Sequence, residues 1–299
     1  MLSKFSHLSN LKVNYELGKK TWFGSGGNCL FFYEANSFNN LITVLRIYKR
    51  FMPVLILGCG SNILIRDGGF KGLVIKLGKN FKEIKFDQSN CVLSLGSAVK
   101  DIEISKFCLQ NNISGFEFLS GIPGTIGGNL KMNAGCFGAQ ISDNLIDCNI
   151  LNKNYKIEKL KKKELNFSYR RSSFSNDQII INARFKTFHS DKKLIKKRLE
   201  EISRKRKKSQ PVSSRTGGST FKNPPHHSAW KLIDSIKFRG RSHGGASVSK
   251  LHSNFLINND SATSLDIEIL GEEIKNKVWK KFKINLDWEL LRIGKFKKI

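Results

Sequence analysis

Residues 120–138 read SGIPGTIGGNLKMNAGCFG, a stretch that is unusually dense in glycine. Glycine loses more backbone freedom than any other residue when it becomes ordered, so a long glycine loop is costly to hold in one conformation. We therefore expect an extended ligand to lie against its bare backbone and to compensate for that loss. The density of glycine also predicts that residues 115–139 form no regular helix or strand.

A second glycine-rich loop, GCGSN at 58–62, directly follows an apolar run over 54–57 that predicts a buried strand. Successive backbone N–H groups in such turns form anion-binding concavities, which makes the loop a candidate phosphate cradle. Alone the signal is weak, because the loop also fits ordinary turn chemistry and matches neither the P-loop nor the GxGxxG pattern. Two such loops in one domain indicate a dinucleotide with a diphosphate at its middle.

Periodicity outside the two loops predicts an α+β chain. Helical spacing of apolar residues is found over 37–50 and over 101–111. In the second of these helices, four residues are expected to face inward: Ile102, Ile104, Phe107 and Cys108. Short apolar runs predict further strands at 72–77, 91–95, 145–151 and 178–187.

The composition of the chain changes near residue 190, where we place the main domain boundary. Asp191 can cap a helix that is strongly basic on one face and carries on the other face Leu194, Ile195, Leu199 and Ile202. Thr263 and Asp266 can form a capping box for a helix over 264–282.

Composition also bounds the class of protein. The chain has 299 residues, of which 39% are hydrophobic, so it can build a packed core and favours two domains. No run approaches the ~18 apolar residues that a membrane helix needs, and the N-terminus shows no secretory signal. Lys and Arg number 52 against 24 Asp and Glu, a net charge of +28. Because the basic residues are spread along the whole chain, we favour a solvated basic surface over a nucleic-acid footprint.

The cysteines predict no metal site and no disulfide framework. All six are scattered, without a CxxC pair: Cys29, Cys59, Cys91, Cys108, Cys136 and Cys148. A zinc site usually needs clustered ligands, and disulfide frameworks are typical of short secreted chains. Four histidines fall in one region, but without supporting carboxylate or cysteine spacing: His226, His227, His243 and His252. We therefore expect reduced thiols, no metal and a cytoplasmic protein.

The two loops, GCGSNILI at 58–65 and GIPGTIGGNLKMNAGCFG at 121–138, carry a resemblance to a known family. They resemble the FAD-binding domain of the UDP-N-acetylenolpyruvoylglucosamine reductase (MurB) family, which belongs to the vanillyl-alcohol-oxidase-like flavoproteins. The resemblance covers most of the chain and matches the shorter type, which lacks an extra insertion in the substrate domain. Further motifs follow in the family's order: TWFGSGG at 21–27, YRRSSF at 169–174, GGSTFKNP at 217–224 and WELLRIG at 288–294.

The resemblance implies a fold and an activity. The fold is α+β, with an FAD-binding domain of the vanillyl-alcohol-oxidase (PCMH) type over 1–190 whose two α+β subdomains divide near residue 75. A smaller α+β substrate-binding domain over 191–299 follows, and its terminal strand over 284–299 carries a catalytic Glu. The implied reaction reduces the enolpyruvyl ether of UDP-N-acetylglucosamine to UDP-N-acetylmuramate for peptidoglycan synthesis. It uses non-covalent FAD, with NADPH as co-substrate, and implies a small-molecule substrate rather than nucleic acid as partner.

Three catalytic residues follow from the same resemblance. Arg170 would bind the substrate carboxylate as a fixed cation, and Glu289 would help to polarise it. Ser219 would protonate the α-carbon after hydride reaches the β-carbon. The neighbouring alternatives are expected to be surface residues or to point elsewhere: Arg171, Asp287 and Thr220.

Binding residues are also implied by the resemblance. Substrate contacts are expected from Tyr169, Lys222 and Asn223. Cofactor contacts are expected from the two glycine loops, at Gly58, Cys59, Gly60, Ser61, Asn62, Gly121, Ile122, Pro123, Gly124, Thr125, Gly127, Gly128, Asn133 and Gly135.

The chain departs from the family pattern at a few positions and leaves two alternatives. Gly24 stands where the family usually has Arg, Asn129 where it has Ala, and Cys136-Phe137 where it has Ala-Tyr. An FAD-dependent oxidase of the same superfamily is one alternative, but such oxidases often carry a flavin-linking His in the first glycine loop, and 58–62 contains none. A basic nucleic-acid-binding protein would need aromatics within its basic run, and 192–208 contains none.

Overall fold

The computed structural model describes residues 10–297. The helices are α1 (Phe38–Tyr48), α2 (Asp101–Gln110), α3 (Ile126–Met132), α4 (Lys192–Ser209), α5 (Ala229–Ser235) and α6 (Ser264–Phe282). The strands are β1 (Lys12–Tyr15), β2 (Cys29–Ala35), β3 (Val54–Leu57), β4 (Ile63–Ile65), β5 (Phe70–Leu77), β6 (Ile84–Asp87), β7 (Val92–Gly96), β8 (Ile113–Ser114), β9 (Gly135–Cys136), β10 (Ala139–Gln140), β11 (Leu145–Leu151), β12 (Ile157–Lys161), β13 (Ile179–Lys186), β14 (Phe188–His189), β15 (Ser242–His243), β16 (Ala246–Val248), β17 (Leu256–Asn258) and β18 (Leu291–Ile293). Short 3₁₀ turns lie at Gly18–Lys20, Lys79–Phe81, Glu117–Gly121 and Lys162–Glu164.

The chain divides into two compact units. The first unit consists of the described parts of Met1–Phe32, Gly60–Val74 and Lys207–Ile299, and the second of Tyr33–Cys59 and Ile75–Arg206. Both units contain helices and strands, in agreement with the predicted α+β class. The domain boundaries predicted near residues 75 and 190 stay predictions.

The second unit is built on an antiparallel sheet with the strand order β12-β11-β13-β7-β6. Leu93 and Leu95 of β7 alternate into the core, and Leu93 lies opposite Phe185 of β13. Such alternation is the pattern of a strand with one buried face. The predicted strands around these residues are confirmed, as are the predicted strands that became β3, β5 and β11 and the helix that became α1.

Helix α2 confirms the prediction over 101–111 but with one side chain misplaced. Ile104 and Cys108 are four residues apart, lie on one face and are buried. Ile102 is 51% exposed, so its predicted inward position is wrong. Two residues of helix place it about 200° around the axis from Ile104, on the solvent side.

Helix α3 contradicts the prediction that 115–139 contains no regular element. Ile126 and Leu130 share one face and are fully buried, so tertiary packing outweighs the poor helix propensity of the glycines between them. Glycine suits position 127 because a Cβ there would lie 3.2 Å from both Cβ and O of Ser97, a tight contact. The helix ends at Asn133, whose φ of +47° is left-handed.

The first unit packs around α6. Ile267, Leu270, Ile274 and Val278 form its fully buried face. The predicted capping box is confirmed: the N–H of Asp266 donates to Oγ1 of Thr263 over 3.0 Å, and the N–H of Thr263 donates to Oδ2 of Asp266 over 2.9 Å. No helix within residues 10–297 combines the length and apolar character needed to cross a membrane.

Two expectations for the C-terminal part are corrected. Helix α4 forms where predicted and Ile195 is buried, but Leu194 is 52% exposed and so lies outside the apolar face. The strand predicted over 284–299 is limited, within the described residues, to β18, which pairs in parallel with β4. Glu289 therefore precedes the strand rather than lying in it.

Candidate active site

The start of the first glycine-rich loop, Gly58 and Cys59, meets the second loop within the second unit. A Cβ at Gly58 would lie 2.7 Å from Oγ1 of Thr125, so only glycine allows this approach. The thiol of Cys59 donates to the carbonyl of Gly124 over 3.4 Å. Two segments that are far apart in sequence thus form one backbone surface, as a dinucleotide site requires.

The second loop is held by the segment that leads into α2. The N–H of Ile126 donates to the carbonyl of Val99 over 3.1 Å, and the N–H of Gly127 to that of Ser97 over 2.8 Å. The N–H of Asp101 returns a bond to the carbonyl of Gly124 over 3.2 Å. These bonds fix an irregular backbone, as the hydrogen bonds from a neighbouring strand fix the edge strand of a sheet.

Asp101 adds a buried carboxylate beneath this loop. Its Oδ2 accepts from the N–H of Gly124 over 2.8 Å, and its Oδ1 accepts from Nδ2 of Asn129 over 2.6 Å. Burial raises its pKa to about 7, although both bonds act to lower it. Asp101 is not among the site residues expected from the sequence, because an acid at the first turn of a helix is usually exposed there.

Two observations indicate that the residues of these loops fit a flavin dinucleotide. Outside its own helix, a Cβ at Gly128 would have only Oγ1 of Thr125 within 4 Å, at 3.6 Å, so bare backbone faces open space. The hydroxyl of Ser97, beside Gly127, is buried and has no hydrogen-bond partner within residues 10–297. A buried donor without a partner calls for a ligand or water that is able to satisfy it.

Asn133 and Gly135 have clear roles in the fold of this region. The Asn133 side chain is fully buried, and its Nδ2 donates to Oε1 of Gln140 and to the carbonyl of Ser168, each over 3.0 Å. A Cβ at Gly135 would lie 2.4 Å from the carbonyl oxygen of Ala139, in the tight β9–β10 hairpin. The amide of Asn133 is thus used by the protein itself.

Arg170 lies on a turn in the second unit. Its φ of +54° is left-handed, its Nη2 donates to the carbonyl of Gly135 over 2.9 Å, and its guanidinium lies 5.1 Å from the centre of the Tyr169 ring. Arg170 is half-buried, whereas Arg171 and Tyr169 are exposed.

Arg206 was not expected among the site residues, because the sequence places it in a basic run that was interpreted as solvated. In the structure it is half-buried. Burial lowers the pKa of its guanidinium.

Ser219 follows two glycines in the first unit, each required for its own reason. A Cβ at Gly217 would lie 2.4 Å from the Phe23 ring, whereas Gly218 faces open space but has a φ of +83°. Ser219 itself is half-buried and bridges to Phe255. Thr220 is buried, and its Oγ1 accepts from the N–H of Leu256 over 3.2 Å, so that hydroxyl is used inside the fold.

The structure brings Ser219 and Glu289 onto neighbouring segments. The N–H of Glu289 donates to the carbonyl of Thr220 over 2.8 Å, and the N–H of Lys222 to that of Asp287 over 2.9 Å. Glu289 is half-buried and Asp287 is exposed. The segment that begins at Ser219 is therefore paired with the one that carries Glu289.

Asn62 connects the end of the first glycine loop to the same segment. Its Nδ2 donates to the carbonyl of Glu289 over 3.2 Å, and its own carbonyl accepts from the N–H of Leu291 over 3.1 Å. Gly60, two residues earlier, has a φ of +67° and accepts from the N–H of Trp22 over 3.1 Å. Glu289 is thus held between Asn62 and Thr220 through its main chain.

The remaining predicted positions have other surroundings. Asn223 is exposed, and its Oδ1 accepts from the N–H of Ala229 over 2.9 Å, at the start of α5. Gly24, with a φ of +64°, lies under the side chain of Arg215, whose Cδ would be 3.4 Å from a Cβ at that position. The side chain of Arg215 thus covers Gly24, the position at which the family usually has an arginine.

Comparison with known proteins agrees with this arrangement. Residues 30–161 match a family model described as FAD binding domain, and residues 210–293 match the C-terminal domain of UDP-N-acetylenolpyruvoylglucosamine reductase. The chain is 42% identical over 285 residues to the UDP-N-acetylenolpyruvoylglucosamine reductase of Rickettsia prowazekii (strain Madrid E), covering 95% of this chain and 96% of that protein. The reductase of Rickettsia massiliae (strain Mtu5) is also 42% identical, over 284 residues, with 95% of this chain and 96% of that protein covered.

A solved structure supports the same assignment. The crystal structure of UDP-N-acetylenolpyruvylglucosamine reductase from Thermus caldophilus superposes with a TM-score of 0.82 at 28% identity, covering 95% of this chain and 98% of that one. Together with the glycine cradle, these matches define a flavoprotein oxidoreductase that uses FAD and takes NADPH as reductant. The chain belongs to the UDP-N-acetylenolpyruvoylglucosamine reductase family, whose reaction serves peptidoglycan synthesis.

Proposed function

We propose that this chain reduces the enolpyruvyl ether of UDP-N-acetylglucosamine to UDP-N-acetylmuramate in the cytoplasm, with Arg170, Ser219 and Glu289 as catalytic residues. The observation that carries the proposal is the pairing of the segments that hold Ser219 and Glu289, through the 2.8 Å bond from Glu289 N–H to Thr220 O. Membership of the reductase family supports the substrate.

The two glycine loops are assigned to the cofactor. FAD, when bound, supplies hydride transfer from NADPH to the β-carbon of the enolpyruvyl group. The loop backbones at 58–62 and 121–128 would hold it, because bare backbone at Gly128 faces open space and lets a ligand approach closely. The buried hydroxyl of Ser97 is a further donor toward it, which the sequence did not reveal.

Ser219 is assigned as the proton donor. Addition of hydride to the β-carbon leaves negative charge on the α-carbon, which must then receive a proton. Ser219 is half-buried, whereas Thr220 is buried inside the fold and its Oγ1 already accepts from the N–H of Leu256. Of these two neighbouring hydroxyls, Ser219 is therefore the one able to serve the substrate.

Arg170 and Glu289 are assigned to the substrate carboxylate, where charge develops during the reaction. The guanidinium of Arg170 is a permanent cation with a planar donor set that fits a carboxylate. The side chain of Glu289, on a backbone held by Thr220 and Asn62, would polarise the same group as an acid. Fixed groups of this kind stabilise the charge without reorganising during the reaction.

The substrate diphosphate and sugar are assigned to Tyr169, Lys222 and Asn223. Lys222 is half-buried, and its N–H donates to the carbonyl of Asp287, which fixes the backbone that carries this cation. Substrate and co-substrate are both anionic, so the net charge of +28 favours their capture. We propose no nucleic-acid partner.

Separate measurement of the two half-reactions tests the assignment of Ser219. Ser219→Ala should leave FAD content and flavin reduction by NADPH unchanged, because only a hydroxyl is removed. Flavin reoxidation by the enolpyruvyl substrate should slow by ~10²–10⁴-fold, the range for a lost general acid. Ser213→Ala, an exposed serine in the same connection, is the matched control. Reoxidation within about tenfold of wild type in Ser219→Ala would remove Ser219 from the mechanism.

A further inference from the structure

Trp288, the residue before Glu289, is held on several sides. Its Nε1 donates to Oε1 of Glu272 over 2.8 Å. Its ring packs against Phe221 with 5.1 Å between centroids, and the guanidinium of Arg292 lies 4.4 Å from the ring centre. A side chain with this many contacts determines where its own backbone runs.

Glu272 is the polar end of this arrangement and is itself fixed by charge. Nη1 of Arg292 donates to the same Oε1 over 3.0 Å and lies 3.4 Å from Oε2 of Glu268. Glu268 is buried, and Arg66 binds its two oxygens through Nε and Nη2, over 2.8 and 3.1 Å. Paired arginine–carboxylate bonds of this kind are short and directional.

Glu272 is ionised at neutral pH. Burial alone would raise its pKa, but the hydrogen bond from Trp288 and the positive charges of Lys275 and Arg292 outweigh burial and hold the pKa below its ordinary value. The indole N–H therefore donates to a charged acceptor, a class of bond roughly twice as strong as a neutral one.

The main chain of Glu289 is held at both of its polar groups. Its N–H donates to Thr220 and its carbonyl accepts from Asn62, over 2.8 and 3.2 Å. Trp288 adds a side-chain anchor directly before it. The carboxylate of Glu289 is thus carried by a backbone that the Glu272–Trp288 bond helps to fix.

We propose that Glu272 is a positioning residue for the reductase reaction, acting through Trp288 on the backbone that carries Glu289. The inference rests on the proposed role of Glu289. Removal of the Glu272 carboxylate releases the indole N–H and lets the segment around Trp288 shift. A displacement of about 1 Å at a catalytic group can cost about 10²-fold in rate.

Two substitutions at Glu272 separate positioning from general disruption. Glu272→Ala should slow substrate-driven flavin reoxidation by ~10–100-fold while FAD content and flavin reduction by NADPH stay at wild type. Glu272→Gln keeps an acceptor for Trp288 and Arg292, so it should recover the rate to within about threefold. Glu273→Ala, at the exposed next residue, is the control and should behave as wild type. Equal slowing of both half-reactions in Glu272→Ala, or no slowing, overturns the inference.

A double-mutant cycle identifies the residue through which Glu272 acts. In a Glu289→Gln background, Glu272→Ala should add less than about twofold, because the group that it positions is already altered. The full additional factor in that background would overturn the inference and leave the role of Glu289 intact. A wild-type rate in Glu289→Gln alone would overturn the proposed role of Glu289 and this inference with it.

Trp288→Phe keeps the test decisive if Glu272→Ala does not fold. The variant retains an aromatic ring against Phe221 but lacks the N–H that Glu272 accepts. It should show the same selective slowing of substrate-driven reoxidation, by about tenfold or more. A reoxidation rate equal to wild type would overturn the inference independently of Glu272.

Discussion

Replacing Asp101 by Asn should flatten the pH dependence of stability. Burial raises the pKa of the Asp101 carboxyl to about 7, whereas an aspartate in an unfolded chain has a pKa of about 3.9. Because the folded value is the higher one, ionisation is less favourable in the folded protein. The stability that this group contributes is therefore fully present below about pH 4 and is lost as the pH rises toward 7.

The size of the effect follows from the two pKa values. Each pH unit between them removes ~1.4 kcal/mol, reduced near pH 7 where the folded site itself ionises. The free energy of unfolding of the wild type should thus fall by about 2 kcal/mol between pH 5 and pH 7 through this group alone. An amide cannot ionise, so Asp101→Asn should lose that part of the slope. Its mean stability should also fall, because its NH₂ group faces a donor on Gly124 or Asn129.

Urea unfolding at several pH values, followed by tryptophan fluorescence with saturating FAD, measures the slope. Glu103→Gln removes an exposed carboxylate from the same helix and should keep the wild-type slope. Equal slopes for wild type and Asp101→Asn would refute the reasoning, since they would mean that Asp101 is ionised over the whole range.

Two further substitutions test the site and the packing beneath it. Arg170→Ala should slow reduction of the enolpyruvyl substrate by ~10²–10³-fold in single-turnover kinetics, whereas Arg171→Ala at the exposed neighbour should have little effect. The reverse ranking would show that the wrong arginine was assigned. Gly217→Ala should lower the free energy of unfolding by ~1–3 kcal/mol, because its Cβ would lie 2.4 Å from the Phe23 ring. An unfolding midpoint equal to wild type would contradict that packing argument.

Local signals predicted the four longest helices in the described part of the chain, α1, α2, α4 and α6. The capping box of α6 needs only Thr263 and Asp266, three residues apart, and it is confirmed, as are both predicted ends of the helix. Helix α3 was missed because helix propensity, a local property, is low for its glycines. Ile126 and Leu130 stabilise the helix through contacts with strands that are distant in sequence. Sequence periodicity contains no information on such contacts.

For the candidate site too, local motifs were predicted from the sequence and long-range contacts were not. The glycine motifs identified both loops, but the approach of Gly58 to Thr125 joins residues far apart in the chain and required the fold. Asp101 and Arg206 were missed because burial, which shifts the pKa of each, is a property of the folded chain. The strand expected over 284–299 included Glu289, yet the main chain there bonds to Thr220 and Asn62 before β18 begins.

The residue that α6 can carry at position 271 depends on Trp288, the aromatic residue before Glu289. Glycine inside a helix is less favourable than alanine by ~1 kcal/mol, yet a Cβ here would lie 2.2 Å from the Trp288 ring. Position 271 can therefore accept a larger residue only after position 288 has lost the indole. A descendant of this chain that replaces the indole by a small side chain becomes free to stabilise its helix with alanine, and one that keeps the indole must keep the glycine. Covariation between positions 271 and 288 would record that constraint.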